Sequence, residues 1–299
     1  MAPITYYCDR WPVLLPEGHK FPMLKYVMVR QHLELTGGIE LQPSPPASPA
    51  EILLTHDEGY VRSILDGSIE PRAMRRIGFP WSPQLVARSL ASVGGTIAAA
   101  RSALSFGWGG NLAGGTHHAY RGEGSGFCVF NDLAVTIHTL RHEHLIRRAA
   151  VLDLDVHQGD GTASIFTNDP DVLTISIHGQ NNFPFRKQAG NIDIGLNDGT
   201  GDDVYLAALE TVLPPIWEFR PDLILYQSGV DALAQDKLGR LAMTHEGLLR
   251  RDRLVFEEAR RHAIPLAITL GGGYGEPIQA TVQAHVNTFR TAASVWPAH

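Results

Sequence analysis

The chain has 299 residues, of which 44% are hydrophobic and 19% are charged. This composition excludes a disordered chain and fits one large α/β domain, predicted to span residues 1–299. No apolar run approaches the roughly 20 residues of a membrane helix, and the first residues lack the pattern of a secretion signal. The net charge of −6 argues against broad binding to nucleic-acid backbones. Two cysteines cannot build a disulfide framework, so a cytoplasmic protein with reduced thiols is expected.

Short apolar runs rich in β-branched residues predict buried strands. In chain order they are residues 4–7, 149–154, 172–177, 223–226 and 266–270. Residues 42–49 contain four prolines, which cannot sit inside a helix or a central strand. We predict that this segment is an extended connector between an N-terminal strand-and-helix unit and the helices that follow.

Apolar residues at helical spacing predict amphipathic helices between the later strands. These helices cover residues 133–140, 205–212 and 248–259. Pro214 and Pro215 should break or kink the second helix. Asp203 and Thr244 are candidate N-caps of the second and third helices. Strands that alternate with helices favour a single three-layer α/β/α domain around a mostly parallel central sheet. Ligands of such sheets bind beyond the carboxyl ends of the strands.

Polar residues cluster at those predicted strand ends. Asp153, Asp155 and His157 alternate with apolar residues where the 149–154 strand ends, so they point to one side. Asp231 follows the 223–226 strand. These side chains could simply be solvated at the ends of the strands. However, the imidazole of His157 and the carboxylates of Asp155 and Asp231 form the three-ligand pattern of a catalytic metal site.

Two further segments carry groups that suit acid–base chemistry. Adjacent His117 and His118 lie in a glycine-rich loop, and they are either a surface pair or a base with an acidic partner. If the pair is catalytic, each imidazole needs a carboxylate that accepts a hydrogen bond from its second ring nitrogen. Asp153 and Asp160 are available for this role. Tyr274 follows three glycines at the end of the 266–270 strand and could face an oxyanion, or could be a packed ring beside a turn.

Five motifs in order resemble the zinc-dependent histone deacetylase family of the arginase–deacetylase superfamily. They are GGTHHA (114–119), GFCVFND (126–132), DLDVHQGDG (153–161), QSGVDAL (227–233) and GGGY (271–274), within a similarity that spans about residues 15–290. The segments EGHKFPMLKY (17–26) and NNFPFRK (181–187) are most similar to the class IV branch and its bacterial relatives. The resemblance implies the arginase/deacetylase fold and hydrolysis of acyl-lysine amides.

The resemblance also implies a role for each matching residue. One Zn²⁺ per chain would be held by Asp155, His157 and Asp231. Catalysis would use His117 and His118, supported by Asp153 and Asp160, with His118 as the base, and Tyr274 would polarise the acyl carbonyl. The remaining residues implied are Gly126, Phe127, Phe183 and Gly272 at the substrate, and Asp153, Asp155, His157, Ser176 and Ile177 around a structural K⁺.

Several functions share these motifs. The main expectation is a protein lysine deacylase, with a preference for acyl groups longer than acetyl, because small residues surround the expected zinc position. The alternatives are an amidohydrolase of acetylated polyamines or other small acylated amines, a two-metal ureohydrolase, and a catalytically silent acyl-lysine binding module. The oligomeric state is not predicted.

Overall fold

A computed structural model describes residues 2–297, which contain one sheet of eight parallel strands in the order β2-β1-β3-β8-β7-β4-β5-β6. The strands are β1 (Ile4–Tyr7), β2 (Glu40–Pro43), β3 (Trp108–Asn111), β4 (Ala149–Asp153), β5 (Val172–Gly179), β6 (Ile192–Leu196), β7 (Leu223–Gln227) and β8 (Leu266–Thr269). Since every pair is parallel, all carboxyl ends lie along one edge of the sheet.

Helices connect the strands and cover the sheet. They are α1 (Leu24–Thr36), α2 (Pro49–Leu53), α3 (Glu58–Asp66), α4 (Pro71–Ile77), α5 (Pro83–Phe106), α6 (Asp132–His142), α7 (Asp160–Phe166), α8 (Asp202–Phe219), α9 (His245–Arg261) and α10 (Ile278–Val295). Within residues 2–297, no helix combines the length and the apolar character that crossing a membrane requires.

The central strands bury side chains on both faces. In β4, Ala150 and Leu152 join a core formed with α1, α8, α9 and α10, whereas Ala149 and Val151 join a second core formed with α5, α6 and α7. This alternation is the two-residue period of a strand between two helical layers. The predicted fold class, a three-layer α/β/α domain with a parallel sheet, is confirmed.

The five predicted strands all form, within one or two residues of their expected ends. Three others were not predicted. β2 and β6 lie at the two edges of the sheet and are half-exposed, so neither forms a continuous apolar run, and β3 has the sequence WGGN.

The proline-rich segment behaves largely as expected. It follows the β1–α1 unit and leads into α2, although its first two residues end the edge strand β2. Pro43 is tolerated there because an edge strand has a side without a ladder partner. Pro49 occupies the first turn of α2, where its missing N–H costs no hydrogen bond.

The expected N-cap of α8 was wrong, and the break considered at its two prolines does not form. The helix does not break at Pro214 and Pro215 but continues to Phe219, because its apolar face, including Ile216, is buried in the core and outweighs the local cost. Asp203 is not the N-cap, since α8 starts at Asp202. The Asp202 carboxylate instead accepts hydrogen bonds from the backbone and hydroxyl of Thr244, the confirmed N-cap of α9.

Candidate active site

The predicted site residues come from loops that follow five strands at the carboxyl edge of the sheet. The His117–His118 loop follows β3, and Asp155 and His157 follow β4. Phe183 follows β5, Asp231 follows β7 and Tyr274 follows β8. β3, β8, β7, β4 and β5 are consecutive neighbours in the sheet, so the parallel topology brings distant parts of the sequence to one place.

Asp155, His157 and Asp231 form a buried triad. Each offers one ligand atom, and these atoms lie within 4.8 Å of one another. Nδ1 of His157 is 3.0 Å from Oδ1 of Asp155 and 3.2 Å from Oδ2 of Asp231. Three donor atoms therefore converge on a single point.

Backbone groups hold the two carboxylates of this triad. The N–H of Gly272 donates to Oδ2 of Asp155 at 2.7 Å, and the N–H of Val156 donates to Oδ1 of Asp231 at 2.9 Å. A Cβ atom on Gly272 would lie 1.9 Å from Oδ2 of Asp231. Gly272, predicted at the substrate, lines the cavity and also packs directly against the two acids.

The electrostatics of the triad suit a cation. Burial and the charge of Asp155 raise the pKa of Asp231 to about 7. Burial opposes protonation of His157, but the carboxylates of Asp155 and Asp231 outweigh it and raise its pKa to about 10. Two buried carboxylates and one imidazole nitrogen thus require positive charge between them, and this donor set fits Zn²⁺ or a similar divalent ion.

The tandem histidines each have a carboxylate partner, as predicted. Nδ1 of His117 lies 2.7 Å from Oδ2 of Asp153, and Nδ1 of His118 lies 2.6 Å from Oδ1 of Asp160. The two rings are 4.1 Å apart. Tyr120, which was not predicted, donates its hydroxyl to the second oxygen of Asp160 at 2.9 Å.

The pKa values of the two imidazoles are shifted in opposite directions. Burial lowers the pKa of His117, but Asp153 and Asp155 outweigh burial and raise it to about 9. For His118, burial and the adjacent His117 lower the pKa to about 4 despite the hydrogen bond to Asp160. His118 is therefore the neutral imidazole at pH 7, able to accept a proton.

The glycine-rich histidine loop is fixed by Asp132, the last residue of the GFCVFND motif. Its carboxylate accepts hydrogen bonds from the N–H groups of Gly115 and Thr116, at 3.0 and 2.7 Å, and from the Thr116 hydroxyl. Asp132 is fully buried at the start of α6. The motif therefore positions His117 and His118, a role that was not predicted from its sequence.

Tyr274 is placed by residues far away in the chain. Its backbone N–H donates to Oδ2 of Asp236 at 2.6 Å. Lys25 is buried, and its ammonium group donates to the carbonyl of Gly271 at 3.0 Å and lies 5.4 Å from the centre of the Tyr274 ring. Neither Lys25 nor Asp236 was predicted, although Lys25 falls in the 17–26 segment that carries part of the resemblance.

A cavity of about 490 Å³ is lined by Asp155 and His157 of the triad, by the two histidines and by Tyr274. Phe127 and Phe183 both line it, as predicted, together with Gly126. A Cβ atom on Gly126 would lie 2.6 Å from the ring of His118 and 3.3 Å from that of Phe183. Glycine is therefore required at position 126, where the aromatic wall meets the histidine.

The residues expected around K⁺ are neighbours in the sheet. Asp153 on β4 is paired in register with Ser176 on β5, and Ile177 is the next residue of β5. The backbone N–H of Asp155 donates to Oδ1 of Asp153 at 3.1 Å. The hydroxyl of Ser176 also lies 2.9 Å from Nδ1 of His178, a contact that the sequence analysis did not anticipate.

Comparison with known proteins places the chain in a family. The histone deacetylase domain family matches residues 19–289. An uncharacterized protein of Picosynechococcus sp. is 44% identical over 299 residues, covering 98% of this chain and 99% of that protein. Histone deacetylase 2 of Arabidopsis thaliana is 32% identical over 86% of this chain and 70% of its own.

A bacterial relative is named as an amidohydrolase. The histone deacetylase-like amidohydrolase of Pseudomonas aeruginosa is 33% identical over 81% of this chain and 68% of its own. The family match covers most of the chain, and the cavity-lining residues named above all lie within the matched residues. The chain therefore belongs to the histone deacetylase family and is a hydrolase that acts on amides.

Proposed function

We propose that this protein is a zinc-dependent hydrolase of N-acyl-lysine amides in proteins or peptides. The observation that carries the proposal is one cavity lined by Asp155 and His157, by two histidines that each bond to a carboxylate, and by Tyr274, with Asp231 completing the triad at its wall. The aromatic walls, Phe127 and Phe183, suit the apolar stem of a lysine side chain, whose methylenes gain free energy when they leave water.

The reaction breaks the amide C–N bond and forms a bond between a water oxygen and the acyl carbon. The water gives up two protons, the lysine nitrogen gains both, and the products are a lysine ammonium group and a carboxylate. A zinc ion in the triad would polarise the acyl carbonyl and lower the pKa of water. His118, neutral and backed by Asp160, accepts the proton of the attacking water.

His117 and Tyr274 complete the roles of the chain in this reaction. His117 stays protonated beside Asp153, so it places positive charge next to the reacting carbonyl. The Tyr274 hydroxyl donates a hydrogen bond to the oxygen on which negative charge develops. The protonated imidazole of His118 then returns a proton to the leaving lysine nitrogen.

Replacing Asp231 by alanine should abolish tight metal binding. The variant loses one of three ligands, so we expect its zinc affinity to fall by more than the roughly 10–100-fold typical of residues outside the first coordination shell. Metal analysis of purified protein should give about one zinc per wild-type chain. Asp160→Ala is the matched control, because it removes a buried carboxylate of the same site that is not a ligand.

Full zinc retention by Asp231→Ala would contradict the ligand assignment. Two metal ions per wild-type chain would favour a two-metal ureohydrolase. One metal without turnover of any acylated amine would favour a binding module.

The cavity has room for acyl groups longer than acetyl. Its lining includes Leu85, Ser89 and Ser92 on α5. Each methylene buried there could contribute about 0.8 kcal/mol of binding. We therefore expect kcat/KM for an octanoyl-lysine peptide to exceed that for the acetyl-lysine form of the same peptide.

Ser89→Phe tests where the longer chain lies. The added ring should narrow the cavity beside α5 and lower kcat/KM for octanoyl-lysine far more than for acetyl-lysine. A steep fall from acetyl to octanoyl in the wild-type enzyme would contradict the preference for longer acyl groups. Faster turnover of N-acetylated polyamines than of any peptide would favour a small-amine amidohydrolase.

We also propose a potassium ion beside Asp153 and Ser176, whose side chains are neighbours on paired strands. Carboxylate, hydroxyl and backbone oxygens are the hard ligands that suit an alkali cation. The proposed location of the enzyme is the cytoplasm, where its buried thiols, Cys8 and Cys128, would stay reduced.

A further inference from the structure

A buried arginine that the proposed mechanism does not use lies next to the loops of the triad. Arg251 on α9 has 0% of its surface exposed. Its Nε donates to Oδ1 of Asp252 at 2.8 Å, and its Nη2 lies at the same distance from that oxygen. A guanidinium has five N–H donors, and burying it is costly even when a carboxylate is beside it, so its other N–H groups also need acceptors.

Those acceptors are three backbone carbonyls in two loops. Nη1 of the arginine donates to the carbonyl of Gly229 at 2.7 Å and to that of Leu154 at 3.4 Å. Nη2 donates to the carbonyl of Ser228 at 3.4 Å. Leu154 follows β4, whereas Ser228 and Gly229 follow β7. The ladder between β4 and β7 ends before these three residues, so their buried carbonyls need donors from elsewhere.

These two loops carry all three residues of the triad. Leu154 immediately precedes Asp155, and Gly229 lies two residues before Asp231. The loops also touch each other, because a Cβ atom on Gly229 would lie only 2.5 Å from Oδ2 of Asp155. A donor that fixes the carbonyl of Gly229 therefore also fixes the backbone against which the Asp155 carboxylate packs.

The orientation of the arginine is itself set by a buried network. Oδ1 of Asp252 also accepts a hydrogen bond from the Tyr226 hydroxyl at 2.6 Å, and Oδ2 accepts one from the Thr288 hydroxyl at 2.5 Å. Tyr205 on α8 donates to the same Leu154 carbonyl at 3.3 Å. Groups from α8, α9, α10 and β7 thus hold the guanidinium and its acceptors in one arrangement.

We propose that Arg251 is a positioning residue for the metal site. Its guanidinium connects the loop after β4, which carries Asp155 and His157, to the loop after β7, which carries Asp231. It thereby sets the spacing of the three ligands before an ion binds. A planar guanidinium can donate to both loops at once, which the single nitrogen of a lysine does less well. The inference rests on the proposed function, because it takes the triad to bind a divalent ion.

The first test measures the zinc dissociation constant of the full chain by competition with a chelator of known affinity. Arg251→Met should weaken zinc binding by roughly 10–100-fold, the usual effect of losing a group that orients metal ligands without touching the metal. Arg251→Lys keeps the charge and one donor nitrogen, so it should recover part of this loss.

Two further variants separate positioning from a general loss of stability. Arg251→Met leaves the carboxylate of Asp252 buried without its cation, whereas the double variant Arg251→Met/Asp252→Asn removes both charges together. The double variant should fold and show the same loss of zinc affinity. Thr288→Val is the matched control, since its hydroxyl bonds to Asp252 and to the carbonyl of Ala284 rather than to either loop. It should lower Tm but keep the zinc affinity.

The second test needs no metal. Amide hydrogen exchange of the apoprotein is measured in peptides that cover residues 154–158 and 228–232. Local opening becomes easier when a buried contact between two segments is removed. Both peptides should therefore exchange roughly tenfold faster or more in the double variant than in the wild type, the range for a hydrogen bond to a charged group. Thr288→Val should leave both rates unchanged.

The outcomes separate this inference from the proposed function. Weaker zinc binding together with faster exchange in both loops supports the positioning role. Either property unchanged in the folded double variant would overturn it, as would an equal loss of zinc affinity in Thr288→Val. If the wild type binds no divalent ion, the proposed function fails. The exchange rates then decide by themselves whether Arg251 holds the two loops together.

Discussion

Alanine in place of His118 is expected to lower kcat by about 10²–10⁴-fold, the usual contribution of a general acid–base residue. Its Nδ1 is bound to Asp160 at 2.6 Å, and its ring meets Phe183 edge-on, with centres 4.9 Å apart. The free edge of the imidazole therefore faces the cavity. Burial holds its pKa near 4, so it is neutral and able to accept a proton at pH 7.

His117→Ala should cost less than His118→Ala. His117 is held at 2.7 Å by Asp153, and Asp153 and Asp155 keep it protonated, so its charge stabilises the reaction but takes no proton from water. Steady-state kinetics at pH 7 with one acetyl-lysine peptide measures both variants. Both should retain one zinc ion per chain, since neither residue belongs to the triad.

His138→Ala is the control for loss of an imidazole outside the cavity. His138 is half-buried on α6 and bonds to the Thr55 hydroxyl at 2.7 Å, so its removal should affect stability rather than kcat. Equal and mild losses in His117→Ala and His118→Ala would show that the pair is structural. A larger loss of kcat in His117→Ala than in His118→Ala would mean that His117 is the base and His118 its charged partner.

Phenylalanine in place of Tyr274 is expected to lower kcat by about 10²–10³-fold, the typical cost of one oxyanion donor. The change removes one hydroxyl and keeps the ring. It also keeps the backbone hydrogen bond to Asp236 and the contact with Lys25, which position residue 274. The hydroxyl acts only as charge develops on the carbonyl oxygen, so KM should change much less than kcat.

Metal analysis and thermal unfolding distinguish this result from a structural defect. Tyr274→Phe should bind zinc like the wild type and unfold at a similar temperature. Tyr60→Phe provides the contrast, because its buried hydroxyl donates to the carbonyl of Val129 at 2.6 Å and lies outside the cavity. That variant should lose stability but keep kcat. An unchanged kcat in Tyr274→Phe would mean that the ring is merely packed beside the glycine turn.

Local pattern was sufficient to predict the fold class and the site residues on strand ends. Buried parallel strands read as continuous apolar runs because both faces are covered, and this signal located β1, β4, β5, β7 and β8. The alternation of Asp153, Asp155 and His157 places them on one side of the chain, and the rule for parallel sheets adds Asp231 from the next strand end. No knowledge of distant contacts is needed for these steps.

Residues that act through tertiary contacts had no comparable signal. Lys25 bonds to the carbonyl of Gly271, 246 residues later, and a lysine in an amphipathic segment is ordinarily a solvated one. Arg88 has the sequence context of a polar residue on a mostly apolar helix, yet it lines the cavity and is only 8% exposed. Both depend on how separate elements pack.

The sequence alone therefore determined the parallel three-layer architecture, and it pointed to Asp155, His157 and Asp231 as candidate metal ligands. Each of these follows from residue type and short-range periodicity, which the chain carries locally. Only the tertiary structure decided that Asp132 holds the histidine loop, that α8 continues through Pro214 and Pro215, and that the cavity extends to Arg88. These features arise from packing between elements far apart in the chain, where long-range burial outweighs local preference.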